Sequence, residues 1–148
     1  MNYAVLYNVF LCWTVAQISW AATQGLLRQP NPQFFWRAAG WFWNFAALLW
    51  FIAGLRLLAY FFFHYTQIAV FATLDRTFFY IEQFCLVGQI VALLAFAAEV
   101  LWRRRVVSLL VAGGGGLSLI AFLILLLMGG VEGTIYTEWA SEHTLSKA

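Results

Sequence analysis

The sequence predicts an all-α membrane protein in which four transmembrane helices pack as an antiparallel bundle. The first observation is composition: the 148 residues are 64% hydrophobic and 9% charged, whereas soluble domains contain about 45–50% apolar and about 25% charged residues. A soluble chain of this size leaves too much surface exposed to hide so many apolar groups. The second is four continuous apolar stretches, each longer than the roughly 20 residues that cross a hydrocarbon core. Soluble enzymes and nucleic-acid-binding proteins are therefore excluded.

The apolar stretches divide residues 1–148 into one membrane domain followed by a short extracytoplasmic tail at 130–148. The first stretch has no basic residue before it and is too long for a signal-peptide core, so it is predicted to be retained as a span. The predicted spans cover about residues 3–27, 40–63, 78–102 and 106–129.

Prolines and charges mark where these spans end. Pro30 and Pro32 follow the first span and block its continuation as a helix. Asp75 and Arg76 are predicted to lie in the connector before the third span. The three arginines 103–105 separate the third span from the fourth, which predicts a tight hairpin there.

The basic residues set the expected orientation, because cytoplasmic loops are enriched in Lys and Arg. The first and third connectors hold five of them, namely Arg28, Arg37, Arg103, Arg104 and Arg105, against Arg76 and Lys147 on the other side. Both termini are therefore expected outside, with the basic loops cytoplasmic, in an inner or plasma membrane if the cell is bacterial. The tail is expected either to lie on the outer surface as a short helix or to dock on a partner.

Two opposite charges lie within the predicted spans. Arg56 is in the second span and Glu82 is in the third, at depths that differ by about one helical turn if the two spans are antiparallel neighbours. Because charges inside a membrane usually pair, we expect an intramembrane Arg56–Glu82 ion pair. The alternative is that Arg56 extends along its own helix towards the surface.

Other polar residues are expected to anchor or join helices. Glu99 precedes Arg103 by four residues, the favourable order for a helical ion pair, and Arg104 and Arg105 extend this inner-interface anchor. The neutral Gln17 and Gln89 lie near the middle of their spans and are expected to form interhelical hydrogen bonds.

Tryptophans recur every seven residues, which returns them to nearly the same helix face. Helix packing or lipid contact is the simpler interpretation of these rows. No cofactor is predicted from the chain itself, and no metal site, since both histidines are expected outside the membrane. The alternative is a surface for a partner or for a lipid, quinone, carotenoid or chlorin between subunits, formed by Trp13, Trp20, Trp36, Trp43, Trp50 and His64.

Four consecutive glycines interrupt the fourth predicted span. Small residues let membrane helices approach closely, so Gly113, Gly114, Gly115 and Gly116 are expected at a helix–helix contact. The alternative is an unwound point, or a slot for a lipid or cofactor tail.

Three functions are compatible with these patterns. The preferred hypothesis is a non-catalytic accessory subunit of a larger respiratory or photosynthetic membrane complex, because no catalytic constellation is recognisable in the sequence. Its expected partners are membrane lipids and other integral subunits, and no nucleic acid. A homo-oligomeric channel or transporter would use Arg56 and Glu82 along a polar path. A membrane sensor or enzyme would use a lipid-soluble cofactor.

Overall fold

The computed structural model describes residues 3–30, 33–102, 104–136 and 141–145. Four helices occupy most of this part of the chain, and each is long and apolar enough to cross a membrane. Their bounds are α1 Tyr3–Leu27, α2 Phe34–Thr66, α3 Ala69–Trp102 and α4 Arg105–Gly129.

The two central helices are longer than the apolar stretches that predicted them. α2 begins at Phe34 rather than near residue 40, and α3 begins at Ala69 rather than near residue 78. Hydropathy measures the apolar stretch and not the whole helix, which continues through polar residues wherever its backbone bonds can form. The prediction that Asp75 and Arg76 lie in a connector is therefore wrong, because both residues are in α3.

A very short turn joins these two helices. Gln67 adopts a left-handed conformation with φ 54°, and its backbone N–H donates to the carbonyl oxygen of Phe63 at 2.8 Å. Its side-chain amide donates to the carbonyl of His64 at 3.0 Å. This cap ends α2 and returns the chain into α3 after only Gln67 and Ile68.

The helices pack in chain order: α1 contacts α2, α2 contacts α3, and α3 contacts α4. Val5 of α1 forms a buried cluster with Tyr60 and Phe61 of α2. In the described part of the chain, extensive contacts between helices are restricted to these three sequential pairs. The arrangement therefore differs from a closed bundle, in which the first and last helices would also pack together.

A glycine lies at each of the three helix interfaces. A Cβ atom at Gly54 would collide with the Trp13 indole, one at Gly88 with the Phe45 ring, and one at Gly115 with Val91. Because these positions lack a Cβ, a large side chain from the neighbouring helix can lie directly on the backbone.

The described part of the tail forms a β-hairpin. Strand β1, Val131–Tyr136, pairs antiparallel with β2, Ser141–Leu145, so that Thr134 lies opposite His143. The expected alternative of a short surface helix is therefore wrong for these residues. Trp139 and Lys147 lie outside the described residues.

Candidate functional site: a buried ion-pair cluster

The central feature of the structure is an acidic face on α3. Asp75, Phe79 and Glu82 are all buried and follow one another at intervals of four and three residues. This spacing places the three side chains on one side of the helix. The interface with α2 covers that side, so the carboxylates of Asp75 and Glu82 lie between α2 and α3.

Arg56 of α2 reaches both carboxylates. Its Nη1 lies 2.5 Å from Oε2 of Glu82, and its Nε lies 3.3 Å from Oδ1 of Asp75. The guanidinium carbon also lies 5.3 Å from the centroid of the Phe79 ring, within the range of a cation–π interaction. Arg56 therefore contacts three successive buried residues of α3, Asp75, Phe79 and Glu82.

The cluster of Arg56, Asp75 and Glu82 is nearly closed to its surroundings. The exposed fractions of these side chains are 18%, 0% and 11%, respectively. Charged hydrogen bonds are stronger when shielded from water, while removal of one partner leaves a charge stranded. The arrangement is suited to holding α2 and α3 in one register.

The structure brings together Arg56 and Glu82, the two residues paired in the sequence analysis, and adds Asp75 to them. Asp75 was missed because Asp75 and Arg76 resemble a helix boundary. The spacing of Asp75, Phe79 and Glu82 was the available signal, since intervals of four and three residues mark one helix face.

A second polar contact joins α3 to α4. The Ser108 hydroxyl is fully buried and donates a hydrogen bond to Oε2 of Glu99. The partner predicted for Glu99, Arg103, lies outside the described residues, while Arg104 caps α4 and Arg105 begins it. Sequence reasoning missed Ser108, because a lone serine has no periodic signal.

Replacing Ser108 with alanine is expected to lower the free energy of unfolding by about 1 kcal/mol, because Glu99 loses a hydrogen-bond donor. Ser118→Ala is the matched control, since among the described residues Ser118 bonds only to the Gly114 carbonyl of its own helix. Equilibrium unfolding of the purified chain in detergent measures both variants. Equal stability of the two variants would contradict a structural contribution from the Glu99 contact.

The tryptophans predicted to share faces have different environments. Trp13 packs between α1 and α2: its Nε1 donates to the carbonyl of Phe51 at 3.3 Å, and its ring stacks on that of Phe51. Trp20, Trp43 and Trp50 are instead exposed, and Trp36 is half-buried beside Phe35. The rows therefore combine one packing residue with several that face outwards.

His64 lies exposed at the end of α2, with its ring centroid 5.4 Å from that of Tyr65. Over the described ranges, no group of three or more His, Cys, Asp or Glu side chains is placed to hold a metal ion. The His64 ring contacts those of Tyr60 and Tyr65, in an aromatic cluster at the end of α2.

The glycine run of α4 contributes one helix contact within the chain. Gly115 packs against Val91, whereas a Cβ atom at Gly113, Gly114 or Gly116 would meet nothing within 4 Å. Within the described chain, the expected close packing is therefore found at Gly115, and the prediction for the other three glycines is not tested by contacts of this chain. The alternative of an unwound point is wrong, because α4 is continuous through the run.

The predicted interhelical bonds of Gln17 and Gln89 are not formed: in the ranges that the structure describes, neither side chain has a hydrogen-bond partner.

An apolar groove lies between α1 and α2, with a volume of about 370 Å³. The groove is lined by Trp13, Ala16, Gln17, Trp20, Ala47, Leu48 and Phe51.

Neither a protein-family model, nor a curated protein, nor a solved structure matches this chain. The function is therefore inferred from the geometry of its own residues.

Proposed function

We propose that the chain is a non-catalytic accessory subunit of a larger integral membrane complex, of the respiratory or photosynthetic type. It would act by helix packing and by ordering lipid or a hydrophobic cofactor between subunits. In this proposal α1, α2 and α3 form the packed body, and the Arg56 cluster fixes the register of α2 and α3. The fourth helix would join that body to a partner subunit.

The observation that carries the proposal is the exposure of α4. Of the residues in this helix, Ser108 and Leu126 are buried in the described structure. Three glycines of its run, Gly113, Gly114 and Gly116, leave open backbone on the helix surface. Membrane helices use such small residues for close approach to one another. A helix of a partner subunit would fit this surface.

Contacts between helices support an antiparallel arrangement in the membrane. Along α1, Trp13 meets Gly54 while the later residue Leu27 meets the earlier residue Gly40. We combine this reversal with the positive-inside rule. The proposed topology has both termini outside and the basic loops in the cytoplasm.

The burial of the Arg56 cluster favours this role over that of a channel. A polar path needs side chains that face an aqueous route, whereas Arg56, Asp75 and Glu82 face one another at the interface of α2 and α3. We therefore assign the cluster to stability rather than to transport.

Replacing Gly114 with leucine is expected to release the chain from its complex without unfolding it. The added side chain meets nothing within the described chain, but it would obstruct an approaching helix. The measurement is purification of the tagged chain from its native membrane in a mild detergent. Native gel electrophoresis and mass spectrometry then identify the polypeptides that accompany it.

Gly25→Leu is the matched control, because a Cβ atom at Gly25 of α1 also meets nothing within 4 Å. We expect Gly25→Leu to retain the accompanying polypeptides and Gly114→Leu to lose them. A wild-type chain that purifies alone would overturn the accessory role. Retention of the partners by Gly114→Leu would remove α4 from the proposed contact.

A further inference from the structure

The groove between α1 and α2 combines aromatic and small side chains in a partly open apolar cavity. Its floor contains two buried small residues, Ala16 and Ala47, and its walls include the rings of Trp13, Trp20 and Phe51. Its volume of about 370 Å³ lies within the range of small-molecule sites, about 300–1,000 Å³.

One wall of this groove is fixed in advance. The Trp13 indole donates to the Phe51 carbonyl, and the two rings stack with a centroid separation of 6.2 Å. Trp20, which also lines the groove, is 52% exposed and has no hydrogen bond or ring contact of this kind among the described residues. A preformed wall lowers the ordering cost of binding, and an accessible indole offers a face for stacking.

Gln17 supplies a single polar group to this apolar groove. It lies near the midpoint of α1, between Trp13 and Trp20 on the same side of the helix. Its amide has no hydrogen-bond partner among the residues described. A polar group that faces hydrocarbon without a partner is unfavourable. A bound molecule with a carbonyl would accept a hydrogen bond from this amide.

We propose that this groove binds the ring of a membrane-soluble quinone. The ring would stack against Trp20 and Trp13, and a ring carbonyl would accept a hydrogen bond from the Gln17 amide. The apolar tail would lie in the lipid beside α1 and α2. This ligand site lies within one chain, so it is distinct from the cofactor between subunits proposed above, and it involves neither α4 nor the Arg56 cluster.

The volume and lining of the site favour a ring over a partner helix. A helix with its side chains is about 10–12 Å across and needs a long shallow surface. The groove is instead lined by three aromatic rings and one amide side chain. Such a combination of apolar walls with one orienting polar group is typical of small-molecule sites.

The test is a titration of the full-length chain, alone in phosphatidylcholine nanodiscs, with decylubiquinone. Quenching of tryptophan fluorescence is expected to contain a saturable component. Gln17→Leu is expected to raise the dissociation constant of that component about tenfold, because the ring carbonyl loses its hydrogen-bond donor. Gln89→Leu is the matched control, since the Gln89 side chain also has no hydrogen-bond partner among the described residues and lies on α3, outside the groove.

Trp20→Leu gives a second, independent variant at an exposed position. It is expected to raise the dissociation constant of the saturable component. An alkylbenzene with the same tail and no carbonyl should compete poorly. Quenching that rises linearly without saturation would show simple partition into lipid and would overturn the site. Equal affinity of wild type and Gln17→Leu for decylubiquinone would also overturn the site. Cross-linking that places Gln17 at a contact between two copies of this chain would overturn it as well. Because the chain is titrated alone, these outcomes are independent of its membership in a complex.

Discussion

Replacing Arg56 with methionine is expected to lower the free energy of unfolding by about 3–5 kcal/mol, the range for breaking a buried ion pair from one side. Methionine retains much of the length and apolar stem of arginine but has no charge. Asp75 and Glu82 would then remain between α2 and α3 without the guanidinium that bridges them. Equilibrium unfolding in mixed SDS and nonionic detergent micelles, followed by circular dichroism, measures this loss.

Arg76→Met is the matched control, because Arg76 lies next to Asp75 in α3 but is exposed. We expect its effect to stay within about 0.5 kcal/mol, as for other surface changes. Combining Arg56→Met with Asp75→Asn and Glu82→Gln should recover much of the loss, since the stranded charges are removed together. Exchange of the charges, Arg56→Glu with Glu82→Arg, should be more stable than either single change. Failure of both combinations would contradict the assigned pairing.

The helices could be predicted from the sequence because crossing a bilayer requires an apolar stretch of a minimum length, about 20 residues. For α1 and α4 the apolar stretch and the helix nearly coincide, since prolines, arginines or glycines stand at their ends. For α2 and α3 they differ, because the helices extend beyond the apolar stretch up to the turn at Gln67. Hydropathy contains no term for that cap, which depends on a left-handed backbone and local hydrogen bonds.

The ion-pair cluster was predictable in part for the same reason. An arginine and a glutamate within apolar spans are energetically costly when unpaired, so their pairing was favoured over the alternative in which Arg56 extends along its own helix. Asp75 required knowledge that α3 continues past it, and only then does its spacing from Phe79 and Glu82 place it on the buried face. The Ser108–Glu99 bond depends on how α4 lies against α3, which is a tertiary property.

The tryptophan rows show the limit of periodicity. A step of seven residues correctly predicts a shared helix face, but not which part of that face another helix covers. Trp13 is covered because Gly54 of α2 leaves room for its indole, whereas Trp20, one repeat later, is exposed. That distinction depends on a residue about 40 positions away along the sequence.

Replacing Gly54 with valine is expected to lower the free energy of unfolding by about 3 kcal/mol, the upper part of the usual range for overpacking. A Cβ atom at this position would overlap the Trp13 indole. The indole has little freedom to retreat, because it is bonded to the Phe51 carbonyl and stacked on the Phe51 ring. The α1–α2 contact would therefore have to separate. The same detergent unfolding experiment on the isolated chain measures the effect.

Gly113→Val separates this collision from the intrinsic helix preference of valine, because a Cβ atom at Gly113 of α4 meets nothing within 4 Å. Its effect on the isolated chain should be small, and its sign should follow helix propensity, which favours valine over glycine. In a Trp13→Leu background, Gly54→Val should be less damaging than in wild type, since the smaller side chain leaves room for the new methyl groups. If Gly54→Val has the same cost in both backgrounds, the close contact between Trp13 and Gly54 does not determine how α1 packs on α2.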